Sequence, residues 1–469
     1  MSRIESKLHI TLVNPPYPQQ AHHHPHFIPL GIGYMAAVLE KNGYKVDVID
    51  CQLLKLSHAD VKNELAKRQP DVVGVTSVTL TYKSALKILD IAKEIFPKCL
   101  TILGGCHATF WDKEALRESS NLDVVVRGEG ENTILELVRR LETGRDFCDA
   151  LGITFRKNGK TVRNPDRPYI VNLDDLPFPA HHLWPIERLR KYGKVIFPVM
   201  TSRGCVYWCN FCSAVRMFGR KYRMRNPKNV VDELEFLHNT YGVDQFTFYD
   251  DTFTVDQDRT AEICREIKNR KLKIKWDCET RVDMVTKGLL LEMKEAGCFA
   301  VWFGVESGSQ RIIDSMRKGF FISQAMRAFK WAKDAGLLVI AGTILGFPGE
   351  TKETAWETIK LVERLNPDDV GFYIATPYPG TPMYDLVKEQ GWLKVTDFDK
   401  YDTATPIFET PTISMRELRE IREQAFHRFY LRPIYILRMF SKGGVYGFSA
   451  SRTALAHLRR AIKSKLIVR

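Results

Sequence analysis

Short β-rich apolar runs alternate with helical stretches along most of this chain, and that alternation restricts its fold more than any other feature. Neighbouring parallel strands need a crossover connection, usually a helix, so repeated β–α steps predict parallel sheets. The steps form two series, separated by a stretch rich in proline and polar residues. The β-rich runs are His9–Val13, Val46–Ile49, Val72–Val75, Leu100–Leu103 and Val124–Val126 in the first series, and Val195–Thr201, Gln245–Tyr249, Lys273–Asp277, Ala300–Val305, Leu337–Ile344 and Val370–Ala375 in the second.

The two series predict an α/β protein with two sheets of different kinds. Five β–α steps predict an open, doubly wound, Rossmann-like parallel sheet within residues 1–146. Six steps predict a partial (β/α)6 barrel within residues 195–410. Residues 147–194 are predicted to be a linker containing a small hairpin at Asn158-Gly159. The remainder, 411–469, is predicted to be a helical and basic C-terminal region.

The composition excludes some classes of protein. A hydrophobic content of 44% excludes a wholly disordered chain. No apolar stretch approaches the roughly 20 residues of a membrane span, and none near the first residue has signal-peptide length. We therefore expect a cytoplasmic protein whose ten cysteines are reduced thiols, so that clustered cysteines indicate metal or redox chemistry.

The net charge of +13 is concentrated at the end of the chain. Residues 411–469 contain 13 Lys or Arg against 3 Asp or Glu. Within them, Phe426–Phe440 mixes aromatic and aliphatic residues with arginines. This pattern fits a helix packed on the barrel with a solvated basic side. It fits equally a peripheral contact with anionic lipid at the inner membrane face, or with an acidic, poorly soluble substrate. Nucleic acid is not expected, because no recognised module accompanies the charge.

The strands of the first series end in residues that allow a ligand to approach the backbone closely. In an open α/β sheet, ligands bind beyond the carboxyl ends of the strands. Each turn alone is an ordinary tight connection, but together they predict a ligand cleft without naming the ligand. The residues concerned are Asn14, Pro15 and Pro16, then Thr76 and Ser77, then Gly104 and Gly105, and finally Gly128 and Glu129.

Three cysteines follow the first strand of the second series with the spacing C-x3-C-x2-C. They are Cys205, Cys209 and Cys212, with Phe211 before the last. A closed zinc site needs a fourth Cys or His, and the sequence offers none nearby. An iron–sulfur cluster can instead be held by three thiolates that leave one iron open to a substrate.

This spacing, with an aromatic residue before the last cysteine, resembles the radical S-adenosylmethionine enzymes. The resemblance implies that the three thiolates hold a [4Fe-4S] cluster, whose open iron is chelated by S-adenosylmethionine. It further implies that one electron cleaves the sulfonium to a 5′-deoxyadenosyl radical, which abstracts hydrogen from the substrate. Flavodoxin or ferredoxin is the electron donor implied.

The resemblance continues at the later strand ends, and it implies contacts with adenosylmethionine there. Tyr249-Asp250-Asp251 stands where the family holds the methionine amino group, and a second segment stands where a polar residue commonly holds the ribose. The strand-five segment matches the part against which adenine rests. Besides Phe211, the residues implied are Asp250, Asp251, Arg281, Glu306, Ser307, Gly342 and Ile344.

The first series resembles the cobalamin-binding domain of cobalamin-dependent radical enzymes, such as the anaerobic magnesium-protoporphyrin ester cyclase and many C- and P-methylases. Strand-end residues including Gly105, His107 and Glu129 would then contact cobalamin. The Asp-x-His-x-x-Gly fingerprint is absent, since Gly105 stands where its Asp would be. The lower face of the corrin is therefore expected to lack a His ligand. The histidines between His22 and His26 are interpreted as a solvated loop, with a lid over the corrin as the second choice.

Three functions are compatible with these features. The first is a cobalamin-dependent radical methylase acting on an unactivated carbon of a small molecule, with lipids and tetrapyrroles among the substrates considered. The second is a radical ring cyclase or rearrangement enzyme. The third is a cobalamin or iron–sulfur sensor, which the strand-end residues disfavour because a sensor needs no adenosylmethionine pocket.

Overall fold

The computed structural model describes residues 7–18, 27–187, 196–433 and 435 of the chain. Within these ranges, the first sheet has seven strands: β1 (His9–Asn14), β2 (Lys45–Asp50), β3 (Val72–Thr76), β4 (Leu100–Gly104), β5 (Val124–Val126), β6 (Ile153–Lys157) and β7 (Lys160–Arg163). Their order across the sheet is β2-β1-β3-β4-β5-β6-β7, and the five strands β1 to β5 are parallel. The five predicted runs all form strands.

The chain order reverses at β1, which lies between β2 and β3, so a crevice forms beyond the carboxyl ends of these strands. Every residue of β1 is buried, as expected for a strand with helices on both faces. The helices of this domain are Leu30–Lys41, Cys51–Leu54, His58–Arg68, Tyr82–Ile95, Cys106–Phe110, Asp112–Glu118 and Glu131–Glu142.

The predicted hairpin is confirmed, and it extends the first sheet. Asn158 and Gly159 both have positive φ, 50° and 75°, as a two-residue hairpin turn requires. Strand β6 pairs antiparallel with β5, and β7 pairs antiparallel with β6. The predicted linker therefore begins with two strands of the first sheet.

The second sheet has six strands: β8 (Phe197–Val199), β11 (Gln245–Phe248), β12 (Lys275–Arg281), β13 (Cys298–Glu306), β14 (Leu338–Leu345) and β15 (Asp369–Ile374). It is parallel throughout, with the order β8-β11-β12-β13-β14-β15 from one edge to the other, which confirms the partial barrel. A separate two-stranded ribbon, β9 (Ser202–Arg203) with β10 (Arg223–Met224), lies on either side of the cysteine segment in the sequence.

Helices follow the barrel strands and cover the outside of the sheet. The helix Pro227–Tyr241 illustrates its sequence signals, because Asn226 caps it and Pro227 occupies its first turn. The others are Ala214–Phe218, Gln257–Asn269, Lys287–Glu295, Gln310–Ser315, Ile322–Asp334, Lys352–Leu365, Pro382–Glu389 and Met415–Tyr430.

The last helix packs on the barrel, which is one of the two arrangements predicted for this region, and the contact with anionic lipid stays a prediction. Phe429, Tyr430 and Tyr435 are buried, and the Tyr430 hydroxyl donates to Asp369 Oδ1 at 2.5 Å. No helix in the described ranges is long and apolar enough to cross a membrane. The other suggestions about the tail beyond residue 435, and those about His22–His26, fall outside the described residues.

Candidate functional site

The three cysteines of the C-x3-C-x2-C segment lie on one loop between β9 and the helix Ala214–Phe218. A hydrogen bond of 3.2 Å from Cys212 N to Cys209 O folds this loop, and Cys212 Sγ accepts from Ala214 N at 3.4 Å. All three line a cavity of about 480 Å³ at the carboxyl end of the barrel strands. Burial raises the pKa of the Cys209 thiol, and that of Cys212 to about 12.

The donor set fits a cluster better than a single ion. In the parts of the chain that the structure describes, no three His, Cys, Asp or Glu side chains converge closely enough to enclose one metal ion. A [4Fe-4S] cluster needs thiolates distributed around a cube of several irons, with no fourth protein ligand. Cys205, Cys209 and Cys212 would therefore hold the cluster, and the cavity that they line would receive adenosylmethionine.

Two cations lie beside Cys209 and favour its ionised form. Lys318 binds Glu306 at 2.6 Å between Nζ and Oε1, and it lies 5.7 Å from the Phe211 ring centroid. Arg281 lies 3.5 Å from the Tyr207 ring centroid. Glu306 has a φ of 61° at an irregularity of β13, a conformation that costs about 1–3 kcal/mol in a non-glycine residue.

Most of the residues predicted to contact adenosylmethionine do line this cavity. Lys318, Glu279 and Tyr373 also line it, and sequence reasoning missed them. Glu279 could have been found from its position two residues before Arg281 in β12, because such residues share a face of a strand. The predicted residues in the lining are Phe211, Asp251, Arg281, Glu306, Gly342 and Ile344.

Two predicted contact residues do not line the cavity. Asp250 is buried, and its carboxylate accepts hydrogen bonds from Thr201 N at 3.0 Å and Ser202 Oγ at 2.5 Å. Ser307 is buried too, and its hydroxyl lies 3.2 Å from Thr358 Oγ1. Both side chains form hydrogen bonds to segments that are distant in sequence and adjacent in the fold. Their placement therefore does not support the prediction that they contact adenosylmethionine.

The cavity contains carboxyl groups that resist ionisation. Burial raises the pKa of Asp251 to about 6, with a smaller contribution from the charge of Asp250. Burial raises the pKa of Glu279 to about 7, and the charges of Asp277, Asp251 and Glu306 add to this effect. Loss of solvation in the cavity therefore favours the neutral form of both carboxyl groups.

A second cavity, of about 530 Å³, lies beyond the strand ends of the first sheet. Gly105 has a φ of 96°, and a Cβ there would meet Ser77 O at 2.5 Å, so this position requires glycine. A Cβ on Gly128 would meet nothing within 4 Å. Open backbone at the rim of the cavity fits a broad, flat group such as a corrin ring. The predicted residues that line this cavity are Asn14, Thr76, Gly104, Gly105, Gly128 and Glu129.

Four predicted cobalamin contacts do not line this cavity: Pro15, Pro16, Ser77 and His107. The Ser77 hydroxyl donates to Gly104 O at 3.1 Å. The His107 ring packs 4.4 Å from that of Tyr82 and 4.7 Å from that of Phe398, and burial lowers its pKa to about 3. His107 is therefore a core residue of the first domain.

A buried ion network joins the two domains beside the second cavity. Glu129 Oε1 accepts from Arg203 Nη1 at 3.0 Å and from Arg223 Nη1 at 2.8 Å, and Glu129 Oε2 accepts from Ile170 N at 2.7 Å. Arg203 Nη2 also donates to Glu131 Oε1 at 2.5 Å. Arg203 precedes Cys205 by two residues, so this network fixes the start of the cysteine loop against the first domain.

The two cavities lie next to each other. Asp251 is in the wall of both, and Tyr249, which is 57% exposed, lines the cavity of the first domain. The ring of Tyr249 lies 6.0 Å from that of Phe27 of the first domain. The strand ends of the sheet and those of the barrel therefore face a common space.

Family models match both halves of the chain. The Radical SAM superfamily model matches residues 199–362, and the B12 binding domain model matches residues 22–138. The chain is 37% identical over 410 residues to an uncharacterized methyltransferase of Pyrococcus horikoshii, covering 87% of this chain and 89% of that protein. It is 34% identical over 427 residues to the anaerobic magnesium-protoporphyrin IX monomethyl ester cyclase of Rubrivivax gelatinosus, covering 88% and 76%.

Solved structures share the fold across both domains. The cobalamin-dependent S-adenosylmethionine radical enzyme OxsB, with aqua-cobalamin and S-adenosylmethionine bound, aligns with a TM-score of 0.76 at 17% identity, covering 96% of this chain and 72% of that one. The radical S-adenosylmethionine methyltransferase TsrM from Kitasatospora setae, with cobalamin and a [4Fe-4S] cluster bound, aligns with a TM-score of 0.69 at 21% identity, covering 82% and 75%.

The paired sheets and the three-cysteine loop define an iron–sulfur radical enzyme with a Rossmann-like first domain. The chain belongs to the family of radical SAM enzymes that carry a B12 binding domain before the barrel. The predicted family, fold class and enzyme class are confirmed, as is the predicted set of cofactors: a [4Fe-4S] cluster, S-adenosylmethionine and cobalamin.

Proposed function

We propose that this enzyme methylates an unactivated carbon of an organic substrate held between its two cavities. The observation that carries the proposal is the shared wall: Asp251 lines both the cysteine cavity and the cavity of the first domain. A substrate there lies between the two cofactor sites and can reach both. The uncharacterized methyltransferase relative supports methylation.

When bound, adenosylmethionine at the cluster supplies hydrogen abstraction, and cobalamin supplies methyl transfer. The protein orients these groups and excludes water. Arg281 and Lys318 place positive charge beside Cys209. The aromatic residues Trp302, Tyr373 and Tyr378 line the cysteine cavity and supply apolar surface for the substrate and the adenosyl group.

The cofactor assignments are tested first. Anaerobically reconstituted protein is expected to hold about four irons per chain. A triple variant with Cys205, Cys209 and Cys212 replaced by alanine is expected to hold none at this site. The matched control is Cys148→Ala, an exposed cysteine outside the cavity, which should retain its iron. Full iron retention in the triple variant, or tight zinc in the wild type, would contradict the cluster.

Cobalamin binding is tested with the same protein. Because His107 is in the core, hydroxocobalamin should bind with a base-off visible spectrum and without a His ligand. The reaction is then tested with adenosylmethionine labelled in its methyl group. Label in the product together with 5′-deoxyadenosine release supports methylation. Release of 5′-deoxyadenosine without label in any product would contradict it.

A second candidate function is oxidative ring cyclisation, and the relative from Rubrivivax gelatinosus is the observation that favours it. This function would also release 5′-deoxyadenosine, but the methyl label would not enter the product. The same experiment therefore separates the two candidates.

A further inference from the structure

We propose that the outer side of the cysteine loop is the docking surface for a small, acidic, one-electron carrier protein of the ferredoxin class. The surface, called the basic face here, is formed by Val206, Trp208, Arg216, Arg220 and Lys221. The inference rests on the proposed function in one respect, since it requires a cluster at Cys205, Cys209 and Cys212.

The cysteine loop is accessible from two sides. On one side, its three cysteines line the large cavity of the barrel. On the other, the same three line a narrow cleft of about 30 Å³ together with Trp208 and Arg216. A protein bound over this cleft would lie close to the cluster without entering the substrate cavity. Short separation favours electron transfer, so this side is the natural entry point.

The charged residues within the segment that contains the cysteine loop all have one sign. Residues 196–231 contain seven Lys or Arg and no Asp or Glu. Arg203, Arg223 and Arg225 are buried and paired with carboxylates of other segments. Arg220 and Lys221 are exposed and remain on the surface.

Arg216 is half-exposed and meets Asp385 at 3.5 Å. Asp385 of another segment therefore partly offsets the charge of Arg216, whereas Arg220 and Lys221 remain as exposed cations of the basic face.

The basic face has an apolar centre. Trp208 is 41% exposed and Val206 is 39% exposed, although both sit within a structured loop. The guanidinium of Arg220 lies 5.5 Å from the Trp208 ring centroid. Exposed tryptophan and arginine are the residue types that most often dominate binding energy at protein interfaces. The exposed cations Arg220 and Lys221 beside this apolar centre would steer an acidic partner.

The transfer balances with a single electron. The reduced carrier loses one electron, and the cluster gains it, passing from its 2+ to its 1+ state. No proton moves and no bond forms or breaks in this step. The electron is then available at the cluster for cleavage of adenosylmethionine.

The test uses the full chain with its cluster reconstituted, and reduced ferredoxin as the probe. Cluster reduction is followed by stopped-flow absorbance at low salt. Arg220→Glu/Lys221→Glu is expected to slow reduction at least about 10-fold and to flatten its dependence on salt. Trp208→Ala is expected to slow reduction with the salt dependence retained. Binding of ferredoxin measured by calorimetry should weaken in parallel.

The matched control is Lys98→Glu/Lys287→Glu, which makes the same charge change at exposed lysines elsewhere. It should be reduced as fast as the wild type. Dithionite should give the same final electron paramagnetic resonance signal in every variant, which shows an intact cluster. If reduced ferredoxin reduces the cluster of the basic-face variant as fast as that of the wild type, the proposed docking surface is wrong. It is also wrong if the control variant is slowed as much as the basic-face variant. A wild type that holds no cluster would overturn the proposed function instead.

Discussion

Replacing Arg203 by methionine should destabilise the protein and weaken the seating of the cysteine loop. The Arg203 side chain is 3% exposed and those of Glu129 and Glu131 are 4% exposed. Burial opposes the charge of Arg203, but the two carboxylates more than compensate, so its pKa is raised above the ordinary value. Methionine keeps most of the volume and removes the charge.

The cost follows from what remains behind. Glu129 keeps Arg223 and the Ile170 amide, whereas Glu131 loses its ion-pair partner Arg203. Removing one partner of a buried ion pair typically costs about 3–5 kcal/mol, because the other charge stays buried and uncompensated. We expect a loss of that size in the free energy of unfolding.

A double-mutant cycle measures how much of this loss comes from the unpaired carboxylate of Glu131. Arg203→Met/Glu131→Gln removes both charges and should recover about 1–3 kcal/mol relative to the sum of the single variants. Urea unfolding of the cluster-free protein gives the stabilities, and iron content after reconstitution reports the loop. The control is Arg428→Met, which breaks the half-exposed pair with Glu363 and should cost less than about 1 kcal/mol.

Two outcomes would refute the reasoning. If Arg203→Met costs no more than Arg428→Met, the buried network does not stabilise the domain interface. If the two substitutions are strictly additive, the loss comes from packing and not from the stranded carboxylate of Glu131.

Three further predictions concern other parts of the fold. Glu350 is fully buried, and burial raises its pKa to about 8, so the folded state keeps this proton where the unfolded state has lost it. The stability that the proton contributes is fully present below the unfolded pKa and is lost as pH rises through about 8. Glu350→Gln should therefore raise the thermal midpoint at pH 8.5 more than at pH 5, and an equal change at both pH values would contradict this. Gly105→Ala should lower both the affinity for hydroxocobalamin and the stability of the protein, because the added Cβ would lie 2.5 Å from Ser77 O. Gly128→Ala is the control: its Cβ meets no atom within 4 Å and should cost only about 1 kcal/mol of backbone strain. Equal effects of the two variants in unfolding and binding assays would argue against the close contact at Gly105. Truncation at Pro411 removes the buried Tyr430 and should lower the thermal midpoint, so an unchanged midpoint would show that this helix does not stabilise the barrel.

Local sequence was sufficient for the order of elements and for the cysteine loop. Parallel strands covered on both faces are continuous runs of β-branched and other apolar residues. The strands β3 and β14 can therefore be predicted from the sequence alone. The C-x3-C-x2-C spacing is local as well, because its three thiols fall on one loop. The carboxyl end of each strand could then be placed at a shared edge, which predicted the general location of both cavities.

Tertiary structure decided which strand-end side chains face those cavities. Asp250 and Asp251 are neighbours in sequence, but Thr201 and Ser202 from another segment engage the first and leave the second in the wall. Lys318 enters the site from a loop that carries no motif, and His107 turns into an aromatic core. These outcomes depend on hydrogen bonds and packing between segments distant in sequence. Local pattern determines where a strand ends, whereas the orientation of the side chains there depends on which distant partners fold against them.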